Sequence, residues 1–275
     1  MAGDDLFGRR WTVQLGTILI DALRVTFKVV RTSKRDPNTL ELAIYNLAPT
    51  TRAQLSAPTV LPLILQAGYA TTMQQIFSGD VRRDGVSHVR EGSSWVTRIR
   101  CGDGERAYRA ARVQTSFVRG TPITTILQTI AATTGLPIGN LLQKAGQGDV
   151  GGALSQAING LVASGNSFDK LERIMGSMGY DLSVQDGQLQ ALAPVETTPE
   201  PAIVLSSFNG MIGSPETGAN GVVKVKSLLQ PGAHPGRPVS MQSLALQGPY
   251  RIEAVTHEGD SHGLPWYSEL ELKPL

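Results

Sequence analysis

The sequence predicts a mainly β fold with an α+β insertion, in which two antiparallel β units flank a small mixed middle region. Three observations carry this. Short alternating apolar and polar runs, bounded by turn residues, fill residues 11–119 and return after residue 220. Apolar stripes at helical spacing are concentrated between these regions. A stretch with three prolines, residues 194–201, reads as an extended linker and marks a domain boundary. At 275 residues the chain is long enough for two or three small cores.

The first region, residues 1–119, is expected to form a sheet or barrel. Trp11–Leu15, Arg24–Val29 and Trp95–Arg100 alternate as half-buried strands do. Arg35–Asn38 and Gly102–Gly104 supply turns between them. A short helix is expected at Thr50–Leu55. In the middle region, residues 120–195, Thr121 is placed to cap a helix that begins at Pro122 and ends at Gly135. Its stripe is Ile123, Ile126, Leu127, Ile130 and Ala131. A second helix is expected after Ser167 as cap, with Phe168, Leu171, Ile174, Met175 and Met178 on one face and Gly179 at its end. Tyr180–Val184 then alternates toward Asp186-Gly187, a two-residue hairpin turn, with Leu189 and Leu192 on the return. In the last region, residues 196–275, Gly221–Lys226, Arg237–Met241, Tyr250–Val255 and Trp266–Leu272 read as strands.

An internal echo links the two β regions. Ile76–Asp80 leads through a loop to Trp95–Ile99, and Val255–Asp260 leads through a shorter loop to Trp266–Leu270. Strand, Gly-Asp, loop, Trp and strand occur twice.

Composition narrows the function classes. Hydrophobic residues make up 41% and charged residues 17%, so a compact fold is expected rather than disorder. Lys and Arg number 25 against 23 Asp and Glu, which gives no long-range field to draw nucleic acid or an anionic membrane. Arg82, Arg83, Arg90, Arg98 and Arg100 are read as solvated strand faces or contacts between subunits. Cys101 is the only cysteine, so it forms no intramolecular disulfide and reads as a small buried hydrophobe. The first residues are acidic and then basic, unlike a secretory signal, and the apolar runs near Ile18 and Leu65 are too short to span a bilayer. Synthesis in the cytoplasm without membrane insertion is the expectation.

Several residue groups carry the types that chemistry uses. Gly146–Gly151 has the glycine spacing of a dinucleotide-binding turn, but a helical segment rather than a buried strand precedes it. His257–Gly263 is dense in catalytic types. Consecutive Asp260, Ser261 and His262 do not converge as a relay requires, and a metal held by His257, Asp260 and His262 lacks further ligands nearby. The reading is a turn with Gly259 and Gly263 at special backbone angles. Glu196, Glu200, Glu216 and Glu269 form carboxylate pairs only on paper. Tyr45, Tyr69, Trp95, Tyr108, Tyr250 and Trp266 are expected to fill β cores. The chain is therefore expected to have no catalytic, cofactor-binding or metal-binding residues and no cofactor.

Three stretches together carry a resemblance. The first is Leu40–Leu47 with Thr50–Arg52, Leu65–Tyr69 and Gln75–Val81. The second is Trp95–Thr97 with Gly102–Gly104 and Phe117–Thr121. The third is Gly210–Glu216 with Val225–Leu229, Pro235–Arg237, Tyr250-Arg251 and His257–Gly263. In this order, and over nearly the whole chain, they resemble the baseplate hub proteins of contractile-tailed bacteriophages.

That resemblance implies a homotrimer in the baseplate of a virion tail, assembled in the host cytoplasm. Each chain would give two tube-like β-barrels, so that three chains present six to a hexameric tail tube. The opposite face would meet the trimeric central spike. Tape measure and other baseplate proteins are further implied partners, and genomic DNA would only pass through the channel. The rival readings are a tail-associated cell-wall hydrolase and a hexameric tube-end protein.

Overall fold

The computed structural model describes residues 8–56, 61–146 and 160–275. These fall into two compact units. Of the described residues, one unit takes those within 8–32, 38–102 and 197–275, and the other those within 33–37 and 103–196.

The larger unit is built on one 13-stranded sheet. Its first set of strands is β1 (Arg9–Leu15), β2 (Ile18–Ile20), β3 (Val25–Thr32), β4 (Thr39–Tyr45), β5 (Pro62–Tyr69), β6 (Gln74–Glu91) and β7 (Ser94–Gly102). A short helix, α1 (Pro49–Leu55), lies between β4 and β5 where a helical turn is expected. Strict alternation makes these strands one-sided. In β3 the side chains of Val25, Phe27 and Val29 are buried, while Lys28 between them is exposed.

The second set belongs to the last region: β12 (Ile203–Ser206), β13 (Met211–Thr217), β14 (Val223–Leu228), β15 (Pro238–Gln242), β16 (Gln247–Asp260) and β17 (Trp266–Pro274). All ladders within the sheet are antiparallel except β12 with β15. The two β regions join along β3 and β16, from Thr26–Asp260 to Thr32–Ala254. Two cores form, although Leu229 and Trp266 of the last region pack into the first. Leu15, Leu40, Ile44, Leu63, Leu65 and Ile99 belong to the first, and Val239, Ile252, Val255, Leu270 and Leu272 to the second.

The two sets are connected alike. The order β3-β4-β7-β6-β5 in the first matches β13-β14-β17-β16-β15 in the second. The likeness reaches individual hydrogen bonds. His88 Nδ1 lies 2.9 Å from Thr97 Oγ1 across β6 and β7, and His257 Nδ1 lies 2.8 Å from Ser268 Oγ across β16 and β17. Just past β4 the amide of Asn46 donates to the Trp95 carbonyl, and just past β14 the amide of Leu229 donates to that of Trp266.

The repeat is real, but its register differs from the sequence echo. Pairing aligns Val86–Arg90 with Val255–Gly259, because Val86 faces Ile99 as Val255 faces Leu270. The Gly79-Asp80 step lies further back along β6, where Asp80 faces Gly102 at the far end of β7 and Gly79 packs close against the Gly102 carbonyl.

The smaller unit holds β8 (Arg112–Phe117), β9 (Leu161–Asn166), β10 (Asp181–Gln185) and β11 (Gln188–Leu192) with α2 (Glu105–Ala110), α3 (Ile123–Ala132), α4 (Leu141–Gly146) and α5 (Ser167–Ser177). β8 lies before residue 119, yet it pairs with β9 and so belongs to this unit rather than to the first β region.

Helix starts depart by one residue from expectation. The cap of α3 is Pro122, and Thr121 instead turns its hydroxyl to the Val118 carbonyl. The cap of α5 is Asn166, whose side chain accepts from the amides of Phe168 and Asp169, and Ser167 is the first helical residue. An amide oxygen reaches two orphan N–H groups there, which makes Asn166 the better terminus. Asp186 and Gly187 turn the β10–β11 hairpin with φ of 52° and 77°, the left-handed pair that a two-residue turn demands.

Candidate assembly surface

The residues that looked most like chemistry are built into the sheet. His257 is fully buried. Its Nε2–H donates to the Ala233 carbonyl at 3.2 Å, which leaves Nδ1 to accept from the Ser268 hydroxyl; that hydroxyl in turn accepts from the Gln230 amide. Burial, with the charge of Arg31 second, holds the imidazole pKa down to about 3, so the ring is neutral. It is a core hydrogen-bonding group spanning two strands and a loop.

Asp260, Ser261 and His262 form the turn after β16. Asp260 takes the Arg24 guanidinium in two bonds, at 2.6 and 3.2 Å, and its Oδ1 also accepts from the His262 amide. Burial pushes its carboxyl up, but these donors outweigh that and leave it below the usual carboxylate range. Ser261 exchanges hydrogen bonds with the backbone of Val25. The turn thus fastens to the start of β3. Ser261 Oγ lies 2.8 Å from His262 Nδ1, while the Asp260 carboxylate takes the His262 backbone amide and Arg24.

Gly259 and Gly263 are absent from the left-handed region, contrary to expectation. Close approach explains them instead. A Cβ on Gly259 would lie 2.2 Å from the Phe27 ring, and one on Gly263 would lie 2.4 Å from the Asp260 carboxylate.

The carboxylates are dispersed. Glu196 pairs with Lys144 in the smaller unit. In the larger unit Glu200 meets His234, Glu269 pairs with Lys226 at 3.1 Å, and Glu216 faces Lys224 across β13 and β14. Among the described residues no group of three or more His, Cys, Asp or Glu could hold a metal ion. The Gly146–Gly151 turn lies outside the described residues from Gln147 onward. Cys101 is buried, and burial, followed by the nearby Asp80, pushes its thiol up.

The aromatic residues divide. Tyr69, Tyr250 and Trp266 are buried in the β cores, with Phe27 edge-on to Trp266 at 5.4 Å. Tyr108 stacks on Phe168 within the smaller unit. Trp95 is 41% exposed with the Arg52 guanidinium over its ring, and Tyr45 carries Arg24 in the same way. These two sit at the sheet surface because they fall near the start of β7 and at the end of β4, where the core face runs out.

What the sheet offers instead is an ordered surface. Tyr267, Glu258, Lys28, Glu41 and Arg100 stand in one row across five strands. The Lys28 ammonium lies 2.8 Å from Glu258, whose hydrogen bond and charge raise the Lys28 pKa. In the second repeat Lys224 and Lys226 pair with Glu271 and Glu269. Each exposed pair is worth about 0.2–1 kcal/mol, so their effect on stability is small. Acidic and basic side chains alternate on this face, so it carries little net charge. A concavity opens on this face in both repeats, lined by Lys28, Glu41 and Arg100 in one and by Glu216, Lys224 and Glu271 in the other.

No protein-family model matches the sequence, and no curated protein is similar to it in sequence. Its fold is that of known tail proteins. A 43 kDa prophage tail protein from Shewanella oneidensis superposes with a TM-score of 0.68 at 9% identity, over 97% of each chain. A tail protein from Neisseria meningitidis gives 0.67 at 11% identity, over 98% of this chain and 97% of that one. An E. coli component of the type VI secretion system, itself structurally similar to bacteriophage tail proteins, gives 0.61 at 11% identity over 96% of this chain and 76% of that one. At these identities the likeness is one of fold.

Proposed function

We propose that this protein is the hub of a tail baseplate, in which three copies form a ring that joins a hexameric tail tube to a trimeric central spike. The observation that carries the reading is the duplicated strand order, β3-β4-β7-β6-β5 and β13-β14-β17-β16-β15. A sixfold partner needs six equivalent surfaces and a threefold partner needs three. A chain with two like repeats meets both demands when three copies close a ring. Each repeat then acts as one tube-like barrel, and the smaller α+β unit is the insertion between them. The shared fold with phage tail proteins and a secretion-system component supports the same reading.

The role is mechanical, and the protein acts as a structural component rather than an enzyme. The ring places surfaces at fixed spacing and leaves a channel through which genomic DNA passes. The spike, the tube and other baseplate proteins are its partners in the tail. A reconstruction of the assembled tail tip tests this. Three copies, with two sheet repeats each in the inner ring, are expected; six copies, or one repeat per chain in the ring, would overturn it. A cell-wall hydrolysis assay tests the enzymatic rival. Turnover by the purified chain that disappears in His262→Ala would sink the structural role.

A further inference from the structure

Among the described residues, the two repeats are joined by a single seam. Ala254–Asp260 of β16 pairs antiparallel with Thr32–Thr26 of β3. β16 serves two partners in succession: its first residues hold β15 and its last hold β3. The counterpart of β16 is β6, which holds β5 with residues 74–80. Among the described residues no strand pairs with the outer edge of its residues 86–91. The counterpart of β3 is β13, which among the described residues pairs only with β14. Both halves of the seam therefore occur twice, and one half of each kind is left open.

We propose that the open edge of β6, residues 86–91, pairs antiparallel with β13 of a second copy, repeating between chains the β3–β16 seam made within one. An open edge exposes a row of backbone donors and acceptors that another strand satisfies. Here the partner is specified, because the chain already shows which edge its β3-type strand accepts. The inference rests on the ring reading above and names its contact.

The repeat also sets the register. Glu216 faces Lys224, which faces Glu271; in the first repeat Lys28 faces Glu41, which faces Arg100. Glu216 is thus the counterpart of Lys28, whose partner across the seam is Glu258. Counting from His257 and His88, the counterpart of Glu258 is Val89. Val89 of one copy accordingly faces Glu216 of the next, and Glu91 faces Ile212. Val89 and Ile212 are 37% and 39% exposed, apolar side chains at edges that this contact covers.

β13 differs from β3 in one respect. From Thr26 to Lys28 is two steps, whereas from Ile212 to Glu216 is four, and the register shifts there at a bulge that contains Pro215. Bulges and prolines keep an edge from pairing indiscriminately, so β13 is suited to one matched partner rather than to any strand.

The test is a disulfide. Facing residues of antiparallel strands have Cα atoms about 4.5–5.5 Å apart, inside the roughly 4.4–6.8 Å that a disulfide spans. The double variant Val89→Cys/Glu216→Cys would be oxidised and run on a non-reducing gel beside both single variants, with native mass spectrometry of each. Cys101 is buried and stays out of the reaction. Covalent dimers and trimers are expected from the double variant alone. A trimer in native spectra that yields no covalent product overturns the seam and leaves the hub reading standing. Cross-linking by either single variant means a twofold contact and also overturns the seam. A chain that stays monomeric at every concentration overturns both.

Discussion

The buried imidazole of His257 accepts a hydrogen bond from Ser268 across the β16–β17 hairpin, with 2.8 Å between Nδ1 and Oγ and both residues fully buried. His88 and Thr97 repeat the contact in the other half of the sheet. In each case the Nε2 atom turns to the segment after the second strand of the repeat: to the Ala233 carbonyl in one, and in the other to the Ser56 hydroxyl at 3.0 Å. A polar pin at the same place in both repeats ties hairpin to connection.

His257 makes the stability pH-dependent with a defined sign. Its folded pKa is about 3, against an ordinary 6.5, so between these values the unfolded chain binds a proton that the folded one does not. Stability is full above about pH 6.5 and falls as pH drops from there toward 3, with a limiting slope of about 1.4 kcal/mol per pH unit for this one group. Urea unfolding of the wild type and His257→Gln between pH 4 and 7 checks it. The variant is expected to be less stable at pH 7 and to lose less on acidification.

Asp260 adds to the acid sensitivity lower down. Its carboxyl is depressed in the fold, so its contribution is present above the unfolded carboxylate pKa and is lost as pH falls through the folded one. A double-mutant cycle with Arg24→Ala and Asp260→Asn is expected to give a coupling of about 1 kcal/mol at pH 7, since Arg24 is 44% exposed. The coupling should vanish at a pH where Asp260 is protonated.

Gly259→Ala places a Cβ 2.2 Å from the Phe27 ring, which is held edge-on by Trp266. Overpacking of this kind costs about 1–3 kcal/mol. Thermal unfolding should show the loss, and Phe27→Leu in the same chain should recover part of it by removing the ring that clashes.

Arg251 and Glu253 are 1% and 9% exposed and are bonded through Nε at 2.8 Å. Removing one partner from a buried ion pair costs about 3–5 kcal/mol in general. Glu253→Ala should therefore lower the unfolding midpoint far more than Glu269→Ala, whose partner Lys226 lies at the surface.

In the smaller unit, Asn166→Ala removes the acceptor for two amides of α5 and should cost about 1 kcal/mol. Ser167→Ala, aimed at the residue that the sequence nominated as the cap, should not reproduce the loss of that cap. Denaturant titration of both variants separates the two positions.

The sites show where reading a sequence stops. Asp260, Ser261 and His262 attract attention by their types, and only contacts reveal that the carboxylate holds Arg24 and a backbone amide. Gly259 was legible as a required glycine, but its reason, the Phe27 ring, comes from a strand far away in the chain. The echo between Trp95 and Trp266 was visible as spelling. Its register was not, because strands align by hydrogen-bond ladders, and the Gly-Asp motif of β6 lies off the matching rung.

Alternation of side chains is local, so the sequence by itself determined that segments such as Trp11–Leu15, Val25–Val29, Trp95–Arg100 and Trp266–Leu272 are half-buried strands. The helical stripes and the Asp186-Gly187 turn were determined in the same way. Alternation says which face of a strand is buried but not which strand lies beside it. Only the tertiary structure decided that two β regions share one sheet through β3 and β16, that β8 belongs to the α+β unit, and that the edges of β6 and β13 are left over. Those outcomes depend on ladder pairing between residues distant in sequence, and there the competition among many apolar strands is settled by the whole core at once.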